Sequence, residues 1–107
     1  FEVADLFHPP AKYHQAFDFV FEAYTWQALP PEIRGQGISH VADFVAPGGN
    51  LLVVSRARDE DAPPAAPPWP LARSEFDPLF DAGLHLESIE DFIDSEQIRR
   101  FRLLLKR

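Results

Sequence analysis

"FDFVFEAYTWQALPPEIRGQGISHVADFVAPGGNLLVVS", residues 17–55, decides how the chain folds. Its opening, "FDFVF", sets three phenylalanines and a valine within five residues, a composition suited to a buried, pleated strand. "LLVVS" (51–55) is an apolar run without alternation, as expected of a parallel strand covered on both faces. Between them, Pro31 suits a first helical turn, where a missing N–H costs nothing. Ile38, Val41, Ala42 and Val45 recur at helical spacing. Gly35 and Gly37 weaken the first half of that helix by about 1 kcal/mol each relative to alanine. "APGGN" is a stop-and-turn signal. The stretch therefore predicts a strand, a helix over 31–45, and a second strand parallel to the first.

Outward from this unit the elements are shorter. "FEVADLF" begins as a strand that ends at Asp5, followed by the proline-marked connection "HPPAKYHQA". After Ser55, "RARDEDAPPAAPPWPLA" concentrates prolines that exclude both helix interior and sheet centre. A short helix is expected from Arg73 to Ala82, stopped by Gly83. "LHLESIEDF" and "IRRFRLLLK" read as strands. Their connection, "IDSEQ", is too short for a helical crossover, so the pair is an antiparallel hairpin. Arg99, Arg100, Arg102 and Lys106 are expected on its wet face, where charge discourages edge pairing.

At 107 residues, 46% hydrophobic and 25% charged, the composition is that of one globular domain. No apolar run approaches 18 residues, and without cysteine there is neither disulfide framework nor thiolate zinc site. His8, His14, His40 and His85 lack paired ligand spacing, so no metal site is expected. A net charge of −7 opposes non-specific nucleic-acid binding. The default is a cytoplasmic protein without membrane partners, and its Arg, Ala and Pro content hints at a bacterial source. Starting inside a strand and lacking methionine, the sequence reads as a piece of a longer protein.

Parallel crossovers are right-handed in about 98% of cases. Successive crossovers in one direction put their helices on one face, so the helices at 31–45 and 73–82 are expected to share a side. The second face then has no cover within these residues. The one glycine cluster, Gly48-Gly49, leads into a strand rather than out of one, the wrong direction for a cofactor-cradling turn.

In order, "VADLF", "FDFVFEAYTWQALPPEIR", "FVAPGGNLLVVSRARDE", "PPWPLARSEF" and the closing hairpin resemble the second half of a class I S-adenosylmethionine-dependent methyltransferase. The resemblance implies a Rossmann-like, three-layer α/β/α sheet, here its C-terminal half, whose last strand inserts antiparallel beside the fifth. It places the glycine-rich turn upstream of Phe1. It further implies that Asp5 accepts a hydrogen bond from the adenine amine, with Leu6 beside the ring. Glu22 and Ala23 fall next to the sulfonium and methionine portion, and Glu22 is the candidate catalytic carboxylate. Tyr24, Trp26 and Gln27 would line the acceptor side, with Arg56 and Trp69 closing it. The segment after the fourth family strand lacks the Asn/Asp-Pro-Pro-aromatic signature of DNA methyltransferases, which points to a small-molecule acceptor.

Each of these residues also has a plainer reading: a turn cap for Asp5, a solvated strand end for Glu22, core packing for Tyr24 and Trp26, a loop anchor for Trp69. Two other functions compete. A nicotinamide-dependent oxidoreductase would have a wholly parallel sheet, which the closing hairpin opposes. A non-catalytic module would bind a partner, its missing N-terminal half or a second copy, through the uncovered sheet face.

Overall fold

A computed structural model describes residues 7–62 and 68–107. The strand expected to end at Asp5, and with it Asp5 and Leu6, lies outside the described residues. The described chain forms one four-stranded sheet and two helices. In sequence they are β1 (Phe17–Ala23), α1 (Pro31–Asp43), β2 (Val45–Arg56), α2 (Asp77–Asp81), β3 (His85–Ile93) and β4 (Arg99–Lys106). Single 3-10 turns at Ala11–Tyr13, Trp26–Ala28 and Arg73–Phe76 join them. The strands are ordered β1-β2-β4-β3. β1 runs parallel to β2, and β4 lies antiparallel between β2 and β3.

Both expected strands of the decisive unit form and pair in parallel, with Val20 opposite Leu51 and Glu22 opposite Val53. The helix ends at Asp43, two residues before the expected boundary. "APGG" lies inside β2 as an irregularity, where the register jumps from Phe17↔Val45 to Phe19↔Asn50. Gly48 takes φ +78°, and a side chain on Gly49 would meet the backbone oxygens of Ala46 and Asp18 at 2.9 Å. The second helix also differs from expectation: a 3-10 turn covers 73–76, and α2 runs only over 77–81. Pro78 has no N–H to give the carbonyl one turn earlier, so an α-helix from Arg73 is interrupted there.

One face of the sheet holds the core. Leu51, Val53 and Ser55 of β2 and Phe101, Leu103 and Leu105 of β4 are buried, facing Ile38, Val41 and Ala42 of α1 and Phe76 and Leu79 around α2. Both helices pack on this side, as the crossovers predict. The other face carries Phe19 and Phe21, 58% and 59% exposed, beside the half-buried Leu52, Val54 and Leu104. Toward β3 that face turns polar. Arg102 stacks over Phe92 at 5.1 Å and pairs with Glu90, while Arg100 pairs with Asp94 at 2.6 Å. Arg100 is no wet-face residue: its side chain is mostly buried, under the ring of Tyr24 at 4.8 Å.

Asp94 closes the hairpin by accepting from the backbone N–H groups of Glu96 and Ile98. Arg107 closes the opposite end of the sheet. Its guanidinium donates to the carbonyls of Ala42, Val45 and Ala82, capping the C-terminal ends of both helices at once. Among the described residues no helix is long and apolar enough to cross a membrane.

The glycines give a paired test. Gly49→Ala should lower stability on the order of 2 kcal/mol, because backbone atoms block the added methyl. Gly35→Ala, in a helical position with nothing within 4 Å, should raise it by about 1 kcal/mol. Urea midpoints of the two variants should move in opposite directions.

Candidate functional site

Parallel pairing brings the carboxyl ends of β1 and β2 side by side, and the chain after each strand builds the site. Glu22, opposite Val53, points to the helix-covered face and is only 6% exposed. Thr25, which opens the 3-10 turn at Trp26–Ala28, donates to its carboxylate from hydroxyl and backbone. The other oxygen, Oε2, is buried with no hydrogen-bond partner among the described residues. Burial raises the Glu22 pKa above the usual carboxylate range, against the opposing Thr25 bonds. A buried carboxyl with one oxygen fixed and one unpaired is suited to accept a hydrogen bond or a proton from a bound group.

Ala23 follows, paired with Val54 and half-buried. Tyr24 then leaves the strand with φ +66°, its N–H donating to the Val54 carbonyl at 3.0 Å. Its ring lies 47% exposed against the Arg100 guanidinium. Trp26 departs from the expected acceptor-lining role: it has no exposed surface and packs on Phe76, ring centres 6.3 Å apart. Gln27 is also buried, and it is a fastener. Its Oε1 accepts from the Arg56 N–H at 2.7 Å, and its backbone carbonyl accepts from the Trp69 N–H at 2.7 Å. Five residues were expected on the acceptor side. Gln27, Arg56 and Trp69 are joined by direct hydrogen bonds, Tyr24 stands with Arg100, and Trp26 belongs to the core.

Arg34 and Glu75 were not singled out from sequence. The buried Arg34 side chain donates to the carbonyls of Trp26, Leu29 and Trp69 and to Glu75, whose other oxygen accepts from Arg58 and from the Ala72 N–H. A signal existed. Arg34 falls on the stripe 34, 37, 38, 41, 42 that marks the buried face of α1, so a charge there had to be either paired or misplaced.

The described residues fit one side of the cofactor that the resemblance implies. Glu22 offers a buried acceptor atom at the strand ends, whereas Gly48 and Gly49 serve the pairing of β1 with β2 and form no cradle. Because the folded state holds the Glu22 proton more tightly than the unfolded chain, stability falls as pH rises from the unfolded value of 4.5 through the raised folded value. Glu22→Gln should therefore be more stable than the parent at pH 8. That gain should vanish once both states are protonated below about pH 4, as urea midpoints at the two pH values would reveal.

No family model matches the chain. It is 32% identical over 83 residues to thiopurine S-methyltransferase of Vibrio atlanticus (strain LGP32), a stretch covering 77% of this chain and 37% of that protein. The chain thus spans little more than a third of that curated relative. Among solved structures, 97% of the chain matches 48% of the Burkholderia thailandensis 1,6-didemethyltoxoflavin-N1-methyltransferase bound to S-adenosylhomocysteine, with TM-score 0.76 and 10% identity. All of it matches 55% of the [4+2]-cyclase SpnF, with TM-score 0.77 and 12% identity. The parallel β1–β2 pair, the antiparallel strand inserted beside it and these similarities together give the chain the fold of the second half of a class I S-adenosylmethionine-dependent methyltransferase domain, and its sequence is similar to part of one methyltransferase.

Proposed function

We propose that the protein transfers a methyl group from S-adenosylmethionine to a small-molecule acceptor in the cytoplasm, and that this chain supplies the sulfonium and acceptor sides of the site. One observation supports this most directly: a buried carboxyl with an unpaired oxygen, Glu22, at the carboxyl end of a parallel strand, where sheets of this kind bind ligands. The names of the Vibrio and Burkholderia proteins support a small acceptor. S-adenosylmethionine would supply a carbon already activated by its sulfonium leaving group, so much of the rate comes from alignment.

In this proposal Glu22 and Ala23 face the sulfonium end, while Asp5 and Leu6 keep the adenine. Tyr24, Arg56 and Trp69 meet the acceptor, and Gln27 holds the last two together. The raised pKa of Glu22 brings it nearer neutrality, where a carboxylate is a better proton acceptor. If the acceptor loses its proton before transfer, Glu22 is the base. Tyr24 and Trp69 supply flat apolar surface for a ring.

The exposed Phe19 and Phe21, on a strand that pairs on one side only among the described residues, support a second element of the proposal. That face is covered in the working protein, by the missing N-terminal half of the domain or by another copy.

Calorimetric titration of the intact protein with S-adenosylhomocysteine should give tight binding that Asp5→Ala abolishes; a protein that ignores the ligand would instead be a partner-binding module. The isolated 107-residue chain should associate and bind a hydrophobic dye. A dye-silent monomer by light scattering would remove the uncovered face from the proposal.

A further inference from the structure

Arg34 has more hydrogen bonds than any structural demand of its own helix explains. It sits in the first turn of α1, where a guanidinium does nothing for the helix dipole. Its side chain is only 2% exposed. Nε donates to the Trp26 carbonyl at 2.9 Å, and Nη2 to the carbonyls of Leu29 at 3.3 Å and Trp69 at 2.9 Å. Nη1 donates to Glu75 at 2.8 Å. Trp26 and Leu29 bracket the turn that follows β1, and Trp69 belongs to the connection that follows β2. A single planar fork therefore spans both loops that leave the carboxyl ends of the parallel pair.

Between those anchors sits Gln27, whose side chain and backbone take the N–H groups of Arg56 and Trp69. We infer that Arg34 is the positioning residue of the acceptor rim: by gripping Trp26, Leu29 and Trp69 together it fixes Gln27, and through Gln27 it sets where Arg56 and Trp69 stand relative to Glu22. The inference rests on the proposed methyltransferase site for its purpose but on hydrogen bonds alone for its content. Glu75 is part of the device. It neutralises Arg34 and, through the Ala72 N–H and Arg58, secures the far end of the loop that carries Trp69. Lysine cannot replace the fork, because one ammonium cannot point at carbonyls from two loops and a carboxylate in a plane.

Two variants test this, Arg34→Lys, which keeps the charge, and Arg34→Met, which keeps the stem. Amide hydrogen exchange followed by NMR reads the rim directly through the N–H groups of Arg56 and Trp69, with those of Val53 and Leu103 in the sheet as internal controls. Both variants should exchange at least tenfold faster at Arg56 and Trp69 while the sheet amides stay within twofold of the parent. Uniform acceleration at all four amides would make Arg34 a general stabiliser, and unchanged rates at Arg56 and Trp69 would leave the rim independent of it; either overturns the inference. Should Arg34→Met fail to fold, Arg34→Lys still gives the comparison, and 5-fluorotryptophan labelling supplies a second measurement. The Trp69 resonance should move and the core Trp26 ring resonance stay in place; movement of both, or of neither, counts against the rim. Failure of the intact parent protein to bind S-adenosylhomocysteine would reject the methyltransferase reading and leave the exchange result as it stands.

Discussion

Parallel pairing of β1 with β2 is the constraint from which the remaining geometry follows. Two parallel strands cannot be joined by a tight turn, so the chain must climb through α1 and return. The return lands in register only because Gly49 lets the β1 backbone approach where any side chain would collide with two carbonyl oxygens. Once that contact is made, Glu22 and Arg56 leave the sheet at the same end. The antiparallel β4 then seals the far side of β2, which sets Leu51 and Val53 beside Phe101, Leu103 and Leu105 on the helix-covered face.

A second constraint is electrostatic. A guanidinium withdrawn from water is tolerated only where carbonyls and a carboxylate replace its hydration, and Arg34 collects these from three separate segments. The same requirement operates at Arg107, which gathers the last carbonyls of both helices. The described structure thus has two arginine knots, one at each end of the sheet. The knot at the carboxyl ends of the parallel pair holds irregular loops in place, whereas the other ties regular elements to the sheet. Glu22 is the opposite case: a buried carboxyl without a counter-charge among the described residues, its pKa raised by burial.

Much of this was legible from residue patterns. "FDFVF", "LLVVS" and the short "IDSEQ" link gave the strands, their parallel and antiparallel senses and the sharing of one face by both helices, because apolar periodicity and breakers report directly on burial. What escaped was local. The end of α1 at Asp43, whose carbonyl accepts from the Gln15 N–H, and the splitting of the second helix, where Pro78 has no N–H to donate, each depend on one backbone group. Trp26 and Gln27 were expected on a rim and are buried, because the left-handed turn at Tyr24 redirects the chain after the strand, and nothing in a tyrosine announces positive φ. Arg34 was readable as a charge on an apolar stripe; its partners were not, since they come from residues up to 41 positions away.

That turn at Tyr24 also bears on which side chains the position will accept. A tyrosine in the left-handed region costs about 1–2 kcal/mol relative to glycine, and here the ring is clasped by an arginine already committed to Asp94. Backbone ease and ring contact therefore pull in contrary directions at one residue. A drift toward glycine would relax the main chain but strip the aromatic shelf from beside β4, while asparagine would keep the bend and lose the shelf as well. Only a large flat ring makes the awkward dihedral worth holding, so Tyr24 has few acceptable substitutes despite standing half in solvent.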